Sequence, residues 1–181
     1  MSTTVINLFA GSGSGKSTTA ALLFGEMKLR GLNTELVREY VKSWAWNGRK
    51  VQDMDQLYLL GKQISYERTL YGKVDYIVTD SPVLICGVYE EYWSDGKRKY
   101  AGEAALSFLD HAREKGIVHK NYFINRKKPF DPRGRYETEE QAKVIDSFMR
   151  EYLDKNNISY TYIDVDDRER VNFVLKDLKL V

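Results

Sequence analysis

The sequence has one cysteine, no long apolar run and no large excess of charge of either sign among its 181 residues. A single cysteine excludes an internal disulfide framework, and we interpret Cys86 as a small buried core residue of a protein in a reducing compartment. No apolar stretch reaches about 18 residues, so no membrane-spanning helix is expected. The N-terminus lacks the basic start and apolar run of a secretory signal, which favours a cytoplasmic location.

The charge of the chain is nearly balanced, with 28 Lys and Arg against 26 Asp and Glu and a formal net charge of +2. This balance argues against a protein that binds nucleic acid through its overall charge alone. Any polyanion must therefore be met by a local cluster of charges. Nothing in the composition specifies an oligomeric state.

Strand-like and helix-like segments alternate along the whole chain, which predicts a single α/β domain over residues 1–181 with a parallel sheet. No internal repeat, low-complexity tract or linker interrupts this alternation. Strands are predicted at 5–9, 34–37, 76–79, 122–124 and 160–165. Helices are predicted at 17–29, 53–71, 83–92, 102–115, 139–156 and 168–178.

A glycine-rich segment between the first strand and the first helix fits the pattern G-x-x-x-x-G-K-[ST], with Ala10 at the first glycine position. Backbone N–H groups of such a P-loop wrap closely around a triphosphate. Lys16 is expected to contact the β and γ phosphates, and the Ser17 hydroxyl is expected to bind Mg²⁺. The predicted nucleotide-binding residues are Gly11, Ser12, Gly13, Ser14, Gly15, Lys16, Ser17 and Thr18.

The third strand ends in a carboxylate, Asp80, at the edge of the sheet where the P-loop is also expected. In P-loop proteins a carboxylate at this place holds the Mg²⁺ complex, so Ser17 and Asp80 are the predicted metal residues. An alternative is that Asp80 or Ser81 caps the following helix, with Pro82 at its first position.

The second strand is followed by a carboxylate and several aromatic residues. Glu39 is expected to accept the proton of an attacking hydroxyl or to hold a phosphate acceptor, and Tyr40, Trp44 and Trp46 offer flat surfaces for a ring. The alternatives are that Glu39 is solvated or paired with Arg38, and that the tryptophans are packing residues.

A basic segment with proline and glycine, residues 125–137, follows the fourth strand and is predicted to form a mobile lid over the P-loop. Arg126, Arg133 and Arg135 are expected to contact the transferred phosphate, because phosphoryl transfer is catalysed largely by cations placed around that group. A solvated charged surface is the alternative. Lys127 and Lys128, with the basic run at residues 97–99, are compatible with a nucleic acid.

The absence of an Asn-Lys-x-Asp stretch argues against a GTPase, and the chain is short for a motor. The remaining features favour a kinase that transfers the γ-phosphoryl group to a nucleoside- or nucleotide-like acceptor. Two alternatives stay open: a kinase acting on polynucleotide ends or hydroxymethylated bases, and a nucleotide-binding switch or ATPase without an acceptor.

Four segments, GSGSGKST, VREYVKSW, YIVTDSP and KPFDPRGRYETEEQAKVID, give the chain a resemblance to the P-loop nucleoside and nucleotide kinases. Within that group it resembles the ribosylnicotinamide-kinase-like proteins of NAD salvage and of bacteriophages. The resemblance implies strand order 2-3-1-4-5 with helices on both faces, ATP with Mg²⁺ as donor, and an acceptor between the segment after strand 2 and the lid. It places Lys16 and Ser17 at the triphosphate, Asp80 at the metal, Glu39 at the acceptor, and Arg133 and Arg135 in the lid. Residues 90–100 match no motif of the group.

Overall fold

The computed structural model describes residues 2–52 and 54–180 and consists of a five-stranded sheet with helices on both faces. The strands are β1 (Thr4–Phe9), β2 (Thr34–Val37), β3 (Tyr76–Thr79), β4 (Val118–Ile124) and β5 (Thr161–Ile163). The helices are α1 (Lys16–Leu29), α2 (Lys42–Trp46), α3 (Asp55–Arg68), α4 (Leu84–Trp93), α5 (Tyr100–Glu114), α6 (Glu139–Lys155) and α7 (Arg170–Asp177). All strand pairs are parallel and the order is β2-β3-β1-β4-β5, which confirms the predicted fold class.

The sheet is buried on both faces because helices cover each face, and successive side chains of each strand point to opposite faces. On one face Leu8 packs with Leu23 of α1 and Val174 of α7. On the other face Phe9 packs with residues of α3, α4, α5 and α6, including Leu84. Cys86 lies in this second cluster and is buried, as predicted. Within the described part of the chain, no helix has the length and apolar character to cross a bilayer.

The structure differs from the sequence-based boundaries most at β4, β5, α2 and α3. β4 begins at Val118 rather than at residue 122, because its polar first half still pairs with β1 from Thr4 to Asn7. β5 has three residues instead of six. The short helix α2 has no periodicity long enough to be recognised in the sequence and was not predicted. The predicted start of the third helix, Asp53, lies outside the described residues, and α3 begins at Asp55.

Residues 90–100 form the end of α4, the turn that follows it and the first residue of α5. The Cβ of a larger residue at Gly87 would lie 2.5 Å from the Cα of Gly102, so the two helices cross at close range. Glu90 Oε2 accepts a hydrogen bond of 2.7 Å from the Ala101 N–H at the start of α5. Trp93, the last residue of α4, and Arg98, in the turn, both line the large cavity of the protein.

The carboxyl ends of β1, β2, β3 and β4 meet at one edge of the sheet, where open α/β sheets bind ligands. Each end continues into a segment identified in the sequence: the P-loop, Glu39, Asp80 and the lid, respectively. The lid runs directly into α6, whose first turn is fixed by a capping box. In that box Thr138 Oγ1 accepts from the Gln141 N–H at 3.3 Å, and Gln141 Oε1 accepts from the Thr138 N–H at 2.9 Å.

Candidate active site

The P-loop backbone is shaped to surround an anion. Gly13 and Gly15 have φ angles of +76° and +102°, a conformation that side chains with a Cβ rarely adopt. Gly15 is the N-cap of α1 and supplies no side chain to cap it, so the first N–H groups of the helix remain available to a ligand. A Cβ at Gly13 would lie 2.6 Å from the ring of Phe130, which shows that the lid lies against the loop.

A buried ion pair braces the start of the P-loop. Asp146 of α6 accepts a hydrogen bond from the Gly11 N–H through Oδ1, and its Oδ2 accepts from Arg126 Nε at 2.9 Å and Nη2 at 2.8 Å. Arg126 Nη1 donates to the Ser12 carbonyl at 2.7 Å. Only 8% of the Arg126 side chain and 15% of the Asp146 side chain are exposed. Arg126 therefore supports the loop from behind, and its predicted contact with phosphate stays a prediction.

A second arginine, Arg170, supports the P-loop from α7. Its side chain is fully buried, and it donates to the Ser14 carbonyl at 3.1 Å and to the Asn125 carbonyl at 2.9 Å. Asp167 pairs with it at 2.6 Å. Sequence reasoning missed both Arg170 and Asp146. The available signal was a charged residue at helical spacing on an otherwise buried face, since Asp146 follows Ala142 and precedes Met149.

Two of the catalytic candidates, Lys16 and Glu39, line a cavity of about 560 Å³, and Asp80 lies behind them, close enough to Lys16 to affect its pKa. Lys16 Nζ donates to the carbonyls of Ala10 at 2.6 Å and Gly11 at 3.0 Å. Asp80 Oδ1 accepts from the Glu39 backbone N–H at 3.0 Å. The alternative role of Asp80 or Ser81 as a helix cap is not observed, because the N-cap of α4 is Val83 and it has no side-chain cap bond.

Burial and charge shift the pKa values of this cluster in opposite directions. Burial lowers the pKa of Lys16, and the carboxylates of Glu39, Asp80 and Asp146 oppose that change. Burial raises the pKa of Glu39, Lys16 opposes the shift, and Asp80 adds to it. A carboxylate with a raised pKa beside the P-loop lysine is suited to accept a proton.

The residues present also fit a magnesium ion. The Ser17 hydroxyl lines the cavity, and Asp80 is a buried carboxylate close enough to Lys16 to affect its pKa. Hydroxyl and carboxylate oxygens are ligands that Mg²⁺ prefers, and Mg²⁺ in such sites takes most of its other ligands from phosphate and water.

The cavity extends from the P-loop end, formed by Gly13, Gly15, Lys16, Ser17 and Thr18, to a distal end formed by α2, α3 and α4. The distal end is lined by polar and aromatic side chains, namely Tyr40, Gln56, Gln63, Tyr89 and Trp93. Of the three aromatic residues predicted to face a ring, only Tyr40 lines the cavity. Trp44 is buried in packing, stacked on Tyr58 at 5.8 Å, and Trp46 is 65% exposed and lies against Gly134.

The lid is docked across the cavity. The Tyr136 hydroxyl donates to the Arg49 carbonyl at 2.6 Å, and Glu137 is close enough to the Tyr89 hydroxyl to raise its pKa. Arg135 lines the cavity and is close enough to Lys16 and Glu39 to lower the pKa of both. Arg133 lies on the outer side, where 81% of its side chain is exposed and it pairs with Asp131 at 2.8 Å.

The basic runs considered for nucleic acid are largely neutralised by the protein's own carboxylates. Lys99 pairs with Glu91 at 3.7 Å, and Lys127 pairs with Asp164 at 3.2 Å. Lys128 pairs with Asp167 at 3.4 Å. Arg126 is bound to Asp146, so at least four of the six cations in the two runs are paired with carboxylates in the described part of the chain.

Comparison with known proteins finds one matching family model and several structures of similar fold. The model of a protein family described as AAA domain matches residues 5–170. The fold is similar to that of deoxyadenosine kinase from M. mycoides with bound dATP, with 17% identity, a TM-score of 0.60, and 96% of this chain and 98% of that chain covered. Thymidylate kinase from Ehrlichia chaffeensis has 19% identity and a TM-score of 0.57, with 98% of each chain covered. The APS kinase of Mycobacterium tuberculosis has 13% identity and a TM-score of 0.54, with 98% of this chain and 97% of that chain covered. Among curated proteins, no relative matches the sequence.

Proposed function

The chain belongs to the AAA domain family, and from this premise we propose that it is an ATP-dependent kinase acting on a small nucleoside- or nucleotide-like acceptor. The observation that carries the proposal is the single cavity that joins the P-loop to Glu39 and to a distal end lined by aromatic and amide side chains. A nucleotide switch without an acceptor has no need for this distal end. The kinase fold of the structural neighbours supports the same assignment.

The donor is proposed to bind at the P-loop end. Backbone N–H groups from Gly11 to Ser17 and the start of α1 surround the triphosphate, and Lys16 moves from the loop carbonyls to the β and γ phosphates. Ser17 and Asp80 would hold Mg²⁺, which would neutralise part of the phosphate charge. Arg126 and Arg170 keep the loop in its binding shape.

The transfer step forms a bond between an acceptor oxygen and the γ-phosphorus while the bond from that phosphorus to ADP breaks. Where the acceptor oxygen is a hydroxyl, Glu39 takes its proton. Arg135 stabilises the negative charge that spreads over the transferred group. Arg133 contributes only in a lid conformation that turns it inward.

The acceptor is a small molecule of the nucleoside or nucleotide class. The neighbours include kinases named for deoxyadenosine and thymidylate, and the ribosylnicotinamide-kinase-like resemblance adds nicotinamide riboside. The ion pairs within the basic runs weaken the case for a polynucleotide acceptor.

The test is transfer of γ-labelled phosphate from ATP, with Mg²⁺, to a panel of acceptors. The panel holds nucleosides, nucleoside monophosphates, nicotinamide riboside, DNA ends and hydroxymethylated DNA. Label on a small acceptor that is lost in Lys16→Ala supports the proposal. Label on DNA that falls steeply with added salt would establish the polynucleotide alternative, and release of free phosphate alone would establish an ATPase or switch.

A further inference from the structure

The wall of the cavity carries more positive than negative charge. Among the described residues that line the cavity, six are cationic: Lys16, Lys42, Lys50, Arg98, Lys128 and Arg135. Three are acidic: Glu39, Glu90 and Glu137. Glu90 already has a partner, since it accepts from the Ala101 N–H, and Glu137 is close enough to the Tyr89 hydroxyl to raise its pKa. Cations are therefore in excess on the cavity wall.

Part of this excess is explained by the ATP site. Lys16 is the lysine proposed to bind the triphosphate. Lys128 lies over the same loop, since a Cβ at Gly15 would come within 3.2 Å of it, and it pairs with Asp167. Lys42 and Arg135 are different. In the part of the chain that the structure describes, neither has a carboxylate within 4.0 Å, the distance that defines an ion pair.

Lys42 and Arg135 approach Glu39 from two separate elements. Lys42 is the first residue of α2 and Arg135 belongs to the lid, and both lower the pKa of the Glu39 carboxyl. Arg135 Nε is buried and has no hydrogen-bond partner among the described residues. A buried donor without an acceptor is costly, and an anion placed between the two cations removes that cost.

We propose that Lys42 and Arg135 form a subsite for a phosphate group of the acceptor, so that the substrate is a nucleotide-like phosphorylated molecule rather than a neutral nucleoside. This inference rests on the proposed kinase function and narrows its substrate class. The phosphate lies beside Glu39, next to the position of the γ-phosphoryl group. Tyr40, Tyr89 and Trp93 then contact the ring of the same acceptor.

The first test compares binding, independently of turnover. Calorimetry on the full chain measures Kd for a set of nucleosides and for the 5′-monophosphate of each. The best monophosphate is expected to bind about 10- to 100-fold tighter than its nucleoside, the range for hydrogen bonds to a charged group. Lys42→Met is expected to remove this difference and to leave nucleoside binding unchanged.

The matched control is Lys62→Met, which removes a lysine of the neighbouring helix α3 whose Nζ lies 5.9 Å from the Tyr40 ring centre but which does not line the cavity. It is expected to leave the preference for monophosphates intact. Equal binding of nucleosides and monophosphates would overturn the subsite. So would an equal loss for both ligands in Lys42→Met.

The second test measures label transfer to the same pairs and identifies the product by phosphorus NMR. A diphosphate product shows that the bound phosphate is itself the acceptor, and a second phosphate ester shows that a hydroxyl is; either product from a monophosphate supports the subsite. Absence of transfer to every acceptor, with the binding preference present, would refute the kinase proposal and leave the subsite standing. Transfer to neutral nucleosides with no gain for monophosphates would refute the subsite and keep the kinase.

Discussion

At the P-loop end of the cavity, buried side chains hold backbone groups in place, whereas at the distal end side chains from several segments face the cavity themselves. Gly11, Ser12 and Ser14 are bonded to Asp146, Arg126 and Arg170, which are almost fully enclosed. The distal end instead presents Lys42, Arg135 and aromatic rings without such bracing. A ligand at the P-loop end would be bound by fixed backbone N–H groups. Specificity at the distal end would depend on side chains, which substitution can change one at a time.

The largest effect is expected from Lys16→Ala. Removing the cation proposed to contact the transferred phosphate should lower kcat about 1,000-fold, because the developing charge would lose its nearest fixed partner. The measurement is label transfer under saturating ATP. An unchanged circular dichroism spectrum and Tm serve as the control for folding, and full activity of this variant would contradict the assignment of the P-loop end.

Breaking the brace at Asp146 is expected to destabilise the protein. Asp146→Ala leaves Arg126 buried without its partner, and the free energy of unfolding should fall by about 3 kcal/mol in urea denaturation. The KM for ATP should also rise, because Gly11 loses its acceptor. Asp110→Ala, which removes an exposed pair with Arg113, is the matched control and should change stability by less than about 0.5 kcal/mol. Equal effects of the two substitutions would show that the brace is not important.

Glu67 provides a buried carboxylate without the cations that surround Glu39. It is fully buried on α3, its partner is the Tyr71 hydroxyl, and burial raises its pKa from an ordinary value of 4.5 to about 7. The folded protein therefore holds the proton more tightly than the unfolded chain does. The stabilisation is complete below pH 4.5 and is lost as pH rises through 7.

Glu67→Gln is neutral at every pH and should remove this dependence. Above pH 7 the variant is expected to be more stable than the natural chain by about 3 kcal/mol, and below pH 4.5 the two should be alike. Urea denaturation at a series of pH values measures the difference. Glu151→Gln, on the exposed side of α6, is the control and should reproduce the natural profile.

Of the two lid arginines, Arg135 faces the cavity and Arg133 does not. Arg135→Ala should lower kcat about 100-fold, since Arg135 lies near Lys16 and Glu39. Arg133→Ala should have less than about a threefold effect if the docked lid is the active form. A loss with Arg133→Ala as large as that with Arg135→Ala would show that the lid rearranges to bring Arg133 to the phosphate.

The smallest effect is expected from Tyr136→Phe, which removes one hydrogen bond between the lid and the Arg49 carbonyl. A single such bond contributes about 1 kcal/mol, so the acceptor KM should rise about fivefold while the KM for ATP stays the same. Initial rates over both substrate concentrations measure the two constants. An equal rise in both would mean that the lid contact serves the whole cavity.

The same contrast explains what the sequence was able to predict. The P-loop, the strand order implied by the resemblance, and the meeting of Lys16, Glu39 and Asp80 follow from short motifs at the ends of strands. Asp146 and Arg170 belong to segments far from the P-loop in the chain, and no local pattern specifies which loop each buried charge will reach. Trp44 is a case that the sequence left open between a ligand contact and packing, and in the structure Arg49 and Tyr58 enclose it.

The anchoring of the lid at both stems has a consequence for the time scale of the catalytic cycle. Arg126 fixes the first stem to the P-loop, and the capping box at Thr138 fixes the second to α6. Residues 127–136 lie between the two anchors, and the opening of such a lid takes microseconds to seconds. We therefore expect lid opening to limit the release of product, so that rapid mixing of enzyme and substrates gives an initial burst of product before the linear phase.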